Sequence, residues 1–346
     1  MTTGEVAPRA AEDEHGVALR TVVRSRIVNY ARSLGAPTAD WIEEGVVQAR
    51  HSFVIPFSVD GCITPGFVVK VHRGTNARNA AATEYANLLA LHECLGGRQC
   101  RVPRPLDHLP EHAAIVMERV VGQRLDTVIG EYACRLRSHG TWPEAWCERA
   151  GGWLAELETC APVHECDLDE RLESYHRTFT SELDSIAQGA RCAGASLHLT
   201  NRVVTRLKAI PAPDPVQLTK IHSDFAPYNV LGSDDALYVV DFSEMPLGLT
   251  AQCGGFFWAA LEVTALHPAV SRPKVKACQD HFQAGLGTTI CPEWRVWGLF
   301  RHLSYIPADR SGVPVALRIW NRWRAKRIQG LLSRLLASDI RRVDGR

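Results

Sequence analysis

The segment I-H-S-D-F-A-P-Y-N-V-L, residues 221–231, and the segment V-V-D-F-S, residues 239–243, decide the fold of this chain. Residues 232–235 are a turn signal, so the flanking apolar runs 230–231 and 237–240 predict a β-hairpin. Such a hairpin places Asn229 at the start of one strand and Asp241 at the end of the other, with their oxygens converging. An amide and a carboxylate oxygen suit Mg²⁺, which shares phosphate oxygens and water as its other ligands. Asp224 lies just before, free to accept a proton.

Each of these features also has a purely structural explanation. An H-x-D sequence alone is common, and an aspartate in a turn is usually a turn or capping residue. Here, however, H-x-D-x4-N is followed by a D-F pair whose aspartate lies twelve residues after the asparagine. The combination at this spacing favours a functional site, to be tested by its structural context.

The segment resembles the catalytic loop of the protein kinase-like superfamily, whose aspartate and asparagine are separated by four residues. Pro227 also matches. Ala226 stands where protein kinases usually have lysine, and D-F-S replaces D-F-G, so the chain is most similar to the aminoglycoside phosphotransferase and choline kinase branch. The resemblance implies that Asp224 is the catalytic base or orients the acceptor hydroxyl, and that Asn229 and Asp241 bind magnesium. It also implies a two-lobed α+β fold, with a small antiparallel sheet in the N-lobe and a larger helical C-lobe.

Upstream, the apolar strand 67–71 contains one lysine, Lys70, and Glu84 follows it in the next predicted helix. In the family resembled, such a lysine binds the nucleotide α/β-phosphates and pairs with a helix glutamate. The alternative is that both side chains are solvated. No G-x-G-x-x-G precedes Lys70. The backbone and hydroxyl of Ser52, helped by Arg50, are candidates to hold phosphate instead, against the alternative of an ordinary strand.

The segment I-V-M-E-R-V-V-G, residues 115–122, resembles the interlobe linker of the same family. The resemblance implies that adenine docks on Met117 and on backbone groups from Glu118 to Val120. Pockets for such ligands are lined mostly by apolar side chains. The alternative is that Met117 is an ordinary core residue.

Two positions depart from the family pattern. Cys253 stands where this branch usually has an aspartate that buttresses the catalytic loop, and Glu158 stands where it often has a histidine. The predicted function is transfer of the γ-phosphoryl group of ATP (or GTP) to a hydroxyl of a small molecule, namely an antibiotic, a sugar or an amino alcohol. The alternative is a pseudokinase that binds nucleotide without catalysis.

The composition is that of an ordinary globular protein. Of 346 residues, 46% are hydrophobic and 22% charged, and the net charge of +1 favours no nucleic-acid partner. No run of eighteen apolar residues predicts a membrane span, and the acidic start lacks the apolar core of a signal peptide. The 11 cysteines are scattered without a C-x-x-C pair, which favours reduced thiols in a cytoplasmic protein. Nothing in the sequence sets the oligomeric state.

Three regions are predicted: an N-terminal extension with a helix (1–40), a nucleotide-binding N-lobe (41–119), and a helical C-lobe with the catalytic loop and acceptor site (120–346). The apolar pattern predicts a helix from about 15 to 34 with Val28 near its apolar face, a helix over 80–95 with Leu88, Leu91 and Leu95 inward, and a helix over 123–138. Residues 60–66 are predicted to be a turn. The stretch 316–342 carries many arginines and an apolar face. It predicts a helix packed on the C-lobe, with peripheral contact to an anionic membrane as the alternative.

Overall fold

The structure is a computed structural model that describes residues 14–35, 41–48, 52–59, 62–95, 100–134, 142–160, 167–233, 236–307 and 314–338. Within these ranges the chain forms two compact units. Unit 1 comprises the described residues of Met1–His92 and Pro103–Val121, and unit 2 comprises those of Glu93–Val102 and Gly122–Arg346.

In chain order the helices and strands are α1 (Glu14–Ser33), β1 (Trp41–Glu43), β2 (Val47–Gln48), β3 (Ser52–Val59), β4 (Cys62–His72), α2 (Ala77–Leu95), β5 (Cys100–Arg101), β6 (Pro105–Leu109), β7 (Ala114–Glu118), β8 (Gln123–Arg124), α3 (Leu125–Ala133), α4 (Trp142–Cys160), α5 (Leu168–Cys192), α6 (Leu197–Lys208), β9 (Thr219–Lys220), β10 (Val230–Gly232), β11 (Leu237–Val239), β12 (Leu247–Gly248), α7 (Thr250–Thr264), α8 (Arg272–Leu286), α9 (Pro292–Ser304) and α10 (Val315–Ser338).

Unit 1 is built on an antiparallel sheet with the strand order β1-β3-β4-β7-β6. Strand β2 pairs with the N-terminal part of β3, at Phe53 and Val54. The central strands are rich in valine, isoleucine and phenylalanine, which fit a pleated and half-buried surface. On β4, every second residue points to the same face, and Phe67, Val69 and Val71 on that face form a core with Leu19 and Val23 of α1. The sheet therefore has one face covered by α1.

Unit 2 is mainly helical, with a four-stranded sheet ordered β5-β11-β10-β8 and a short β9–β12 pair. Helix α4 packs on α8, and α7 packs on α9. The first of these approaches requires glycine, because a Cβ on Gly285 would lie 1.8 Å from the carbonyl oxygen of Glu148. Helix α10 packs on α6 and α9 through one buried stripe: Asn321, Ala325, Ile328, Leu332 and Leu336.

Several local predictions are wrong. Strand β4 already begins at Cys62, so residues 62–66 are strand rather than turn, and Val59 pairs directly with Cys62. Val28, predicted to lie on the inner face of α1, is exposed. The helix predicted over 123–138 starts at Leu125, after the short strand β8, and ends at Ala133. By contrast, Leu88, Leu91 and Leu95 of α2 are buried as predicted.

The expectation that all cysteines are reduced thiols is also wrong. Cys94 at the end of α2 and Cys160 at the end of α4 form a disulfide, with Cα atoms 5.8 Å apart. Seven other cysteines are free thiols: Cys100, Cys134, Cys147, Cys192, Cys253, Cys278 and Cys291. The two bonded residues lie 66 positions apart, so a local sequence pattern could not predict the bond.

Candidate active site

Backbone hydrogen bonds within unit 2 hold the segment 221–231 in place. A single 3-10 turn covers Pro227–Asn229, and the Asn229 N–H donates to the carbonyl of Ala226 at 2.9 Å. Proline suits the start of such a turn because its φ is already near the required value. The chain then enters the β10–β11 hairpin, where Val230 pairs with Val239, and the Val240 N–H donates to the Asn229 carbonyl at 3.0 Å. The predicted hairpin is confirmed.

Both carboxylate oxygens of Asp224 accept hydrogen bonds from its own loop. The Tyr228 hydroxyl donates to Oδ1 at 2.7 Å, and Asn229 Nδ2 donates to Oδ2 at 3.1 Å. Asn229 Nδ2 also donates to the Asp224 carbonyl at 2.9 Å. An ionised carboxylate has about four lone-pair sites, so these bonds leave acceptor capacity for a substrate hydroxyl.

The same bonds fix which way the Asn229 amide faces. Because Nδ2 donates twice to Asp224, the amide oxygen Oδ1 is the atom left to bind a metal. Asp241 is exposed and has a positive φ of 70°, a conformation that aspartate tolerates better than most residues. Its Oδ1 accepts a hydrogen bond from the Ser243 hydroxyl at 3.3 Å.

One amide and one carboxylate oxygen fit the sparse protein ligand set of Mg²⁺, which draws its remaining ligands from phosphate and water. Across the described ranges, no group of three His, Cys, Asp or Glu side chains forms an all-protein metal site. The donor set of Asn229 and Asp241 therefore suits a metal that arrives with a nucleotide.

His222, two residues before Asp224, supports the loop from inside. It is fully buried, and its Nε2 lies 3.0 Å from the Val240 carbonyl. Burial lowers the pKa of His222, so the imidazole is neutral and Nε2 carries the hydrogen that it donates. The Cys253 thiol donates to the His222 carbonyl at 3.2 Å, and burial raises the pKa of Cys253 to about 12.

Beside Asp224 lies a polar network that sequence reasoning missed. Burial and the Asp224 charge raise the pKa of Tyr228, which keeps this hydroxyl a donor. The buried Arg301 donates to Glu182 at 2.7 Å and to the Tyr305 hydroxyl at 2.9 Å, and its charge acts on both Tyr228 and Asp224. The only local signal was a tyrosine inside the motif. The other members are Glu182 of α5, Arg301 of α9 and Tyr305 directly after α9, all far away in sequence.

In unit 1, Lys70 of β4 and Glu84 of α2 form an ion pair, with Nζ 2.9 Å from Oε1. Lys70 is 8% exposed and Glu84 is 1% exposed. The alternative that these side chains are solvated is therefore wrong. Their proposed roles toward a nucleotide remain predictions.

The other predicted nucleotide contacts also lie in unit 1. Ser52 is buried as the first residue of β3, opposite His72, whereas Arg50 lies outside the described residues. Met117 is a buried residue of β7. Glu118 ends that strand, and its carboxylate accepts a hydrogen bond from the Arg104 N–H at 3.2 Å. Val120 follows, half-buried. The adenine and phosphate roles of these residues stay predictions.

Comparison with known proteins identifies the family. Residues 61–253, more than half of the chain, match the phosphotransferase enzyme family (APH), and the chain belongs to this family. The predicted phosphotransferase enzyme of the protein kinase-like superfamily is thereby confirmed. No curated protein matches the sequence.

Solved structures show the same fold at low sequence identity. The streptomycin–ATP–APH(2″)-IIa ternary complex is 12% identical, covering 88% of this chain and 95% of that chain, with a TM-score of 0.52. The GDP and kanamycin complex of APH(2″)-IIIa is 12% identical, covering 93% and 99%, with a TM-score of 0.51. A glucosamine kinase is 13% identical, covering 87% and 97%, with a TM-score of 0.51. The predicted α+β fold is confirmed.

Proposed function

We propose that this member of the phosphotransferase enzyme family transfers the γ-phosphoryl group of ATP or GTP to a hydroxyl of a small molecule. The observation that carries the proposal is the Asp224 carboxylate, held by Asn229 and Tyr228 with lone pairs to spare. Asn229 links the two halves of the chemistry, because its amide nitrogen orients Asp224 while its amide oxygen is available to a metal.

The proposed reaction is a direct displacement at phosphorus. The acceptor oxygen forms a bond to the γ-phosphorus, and the bond from that phosphorus to the β,γ-bridging oxygen breaks. The nucleoside diphosphate leaves with the electron pair, and Asp224 accepts the proton of the acceptor hydroxyl. Bound at Asn229 and Asp241, Mg²⁺ would supply positive charge to the phosphate oxygens. Positioning and charge stabilisation carry most of the acceleration in such transfers.

Lys70 is assigned to the negative charge of the nucleotide phosphates. Its ion pair with Glu84 holds the ammonium group in the buried interior of unit 1, where an unpaired charge would be expensive. Ser52 is proposed to assist with phosphate. Met117 and backbone groups from Glu118 to Val120 are proposed to contact adenine.

The acceptor is proposed to be an antibiotic, a sugar or an amino alcohol. Structures of similar fold include a glucosamine kinase and phosphotransferase complexes with streptomycin or kanamycin. No described helix meets the length and hydropathy needed to cross a bilayer. A cytoplasmic location is part of the proposal, because most of the described cysteines are free thiols. The Cys94–Cys160 bond is the observation that opposes it.

The test is nucleotide consumption over a panel of hydroxylated acceptors, with product identified by mass spectrometry and Asp224→Asn as the matched inactive variant. Acceptor-dependent consumption by the unaltered protein, lost in the variant, supports the proposal. If the unaltered protein binds nucleotide yet transfers phosphate to none of the panel, the pseudokinase alternative replaces it.

A further inference from the structure

Strand β4 directs two polar side chains to the same side of the sheet. Successive strand residues point to opposite faces, so Lys70 and His72, two positions apart, share one face. The intervening Val71 points the other way, into the core formed with α1. His72 is therefore on the face of β4 that carries the proposed phosphate-binding lysine. The backbone of His72 is held by strand pairing with Ser52 and by its backbone N–H, which donates to the Ala113 carbonyl at 2.9 Å.

Both side chains converge on one carboxylate. Glu84 Oε1 lies 2.9 Å from Lys70 Nζ, and Glu84 Oε2 lies 2.9 Å from His72 Nε2. His72 is 7% exposed. The Nε2–Oε2 pair is close in distance but is not aligned as a hydrogen bond, and within the described part of the chain neither Oε2 nor Nε2 forms an aligned hydrogen bond with another group. Each of these two buried atoms thus has the other as its close polar neighbour.

We propose that His72 is a positioning residue for nucleotide binding, acting through Glu84 on Lys70. This inference rests on the proposed function. A carboxylate with 1% exposure needs a partner for each oxygen. Lys70 satisfies one oxygen, but its ammonium group must also serve the phosphates of the nucleotide. His72 anchors the other oxygen, so Glu84 keeps its position, and the lysine keeps its own, whether or not nucleotide is bound.

A merely structural histidine makes a different prediction. If His72 only fills space in the sheet, its replacement lowers stability, and nucleotide affinity changes no more than for any equally destabilising core change. If His72 acts through Glu84, affinity falls beyond that level. A side chain that restores a donor at the same place then restores affinity.

The experiment compares His72→Leu, His72→Gln and Val71→Ala for thermal stability and for the dissociation constant of magnesium-ATP by calorimetry. Val71→Ala is the matched control, because it weakens the opposite face of the same strand without touching Glu84. We expect about tenfold weaker binding in His72→Leu, about 1.4 kcal/mol. We expect at least partial recovery in His72→Gln and an unchanged constant in Val71→Ala.

A second comparison keeps the test valid if His72→Leu folds poorly. In the folded unaltered protein, the side-chain ¹⁵N resonances of His72 should show hydrogen at Nε2 and should move in Glu84→Gln. Combining Glu84→Gln with His72→Gln should weaken nucleotide binding no further than Glu84→Gln alone.

Equal magnesium-ATP affinity in His72→Leu and the unaltered protein overturns the inference. Side-chain ¹⁵N chemical shifts of His72 that stay the same in Glu84→Gln also overturn it. Losses in Val71→Ala as large as in His72→Leu overturn it too. Failure of the unaltered protein to bind magnesium-ATP at all is a separate result. It overturns the proposed function, and the inference with it.

Discussion

Replacing Asp224 by asparagine removes the proposed proton acceptor while keeping the shape of the catalytic loop. The structure predicts how the new side chain sits. Asn229 Nδ2 donates to Oδ2, so the introduced amide must turn its oxygen toward Asn229 and its nitrogen toward Tyr228. The Tyr228 hydroxyl then changes from donor to acceptor, which a hydroxyl can do by rotation. Both loop contacts survive.

The expected magnitudes follow from that geometry. With both hydrogen bonds kept, the free energy of unfolding should change by no more than about 1 kcal/mol. Magnesium-nucleotide affinity should be nearly unchanged, because Asn229 and Asp241 are untouched. Turnover should fall by about 100-fold or more, the usual contribution of a positioned general base. That loss corresponds to about 2.7 kcal/mol in the activation barrier.

The assay measures initial rates of acceptor-dependent nucleotide consumption beside calorimetric nucleotide affinity. Tyr228→Phe is the control, because it removes one hydrogen bond to Oδ1 and leaves the carboxylate in place. Its turnover should fall much less than that of Asp224→Asn. Equal turnover in Asp224→Asn and the unaltered protein, with nucleotide bound as before, would refute the assignment of Asp224.

Three further expectations concern the metal, the loop support and the last helix. Magnesium-ATP at about 100 times its dissociation constant should stabilise the protein by about 2.7 kcal/mol, and Asp241→Asn should reduce this stabilisation; no shift in melting temperature contradicts nucleotide binding. Cys253→Ala should lower stability and turnover more than Cys253→Ser, which keeps a donor for the His222 carbonyl; equal losses contradict that hydrogen bond. In chemical unfolding, Leu332→Ala should lower the free energy of unfolding by about 2–5 kcal/mol, and Leu317→Ala, at an exposed position, should hardly change it. Salt-sensitive pelleting of the intact protein with anionic vesicles would instead favour the membrane alternative for α10.

Local sequence signals predicted the elements that depend on near neighbours. The β10–β11 hairpin follows from two short apolar runs around a turn, and the 3.6-residue period of α2 correctly placed Leu88, Leu91 and Leu95 inside. The turn predicted from the stretch 60–66 is wrong for residues 62–66, although this stretch is rich in turn-forming residue types. Pairing of β4 with β3, which begins at Cys62, overrides that local preference.

Contacts between distant segments could not be predicted. Arg301 and Glu182 are 119 residues apart, and they meet only because α5 packs on α9. His72 was inconspicuous in the sequence for a similar reason. Its relation to Glu84 depends on how α2 lies against the sheet, which the spacing of the two residues does not reveal.

The position of Cys253 bears on whether the missing family aspartate impairs the site. Its thiol donates to the His222 carbonyl, and an ionised aspartate there could only accept. The nearby imidazole is neutral, so it offers no charge to a carboxylate at a position that is fully buried. Burying an unpaired carboxylate is strongly unfavourable. The loop around His222 is thus arranged for a donor at residue 253. The cysteine is consistent with the bonded Asp224–Asn229 pair, and its presence alone does not argue for a pseudokinase.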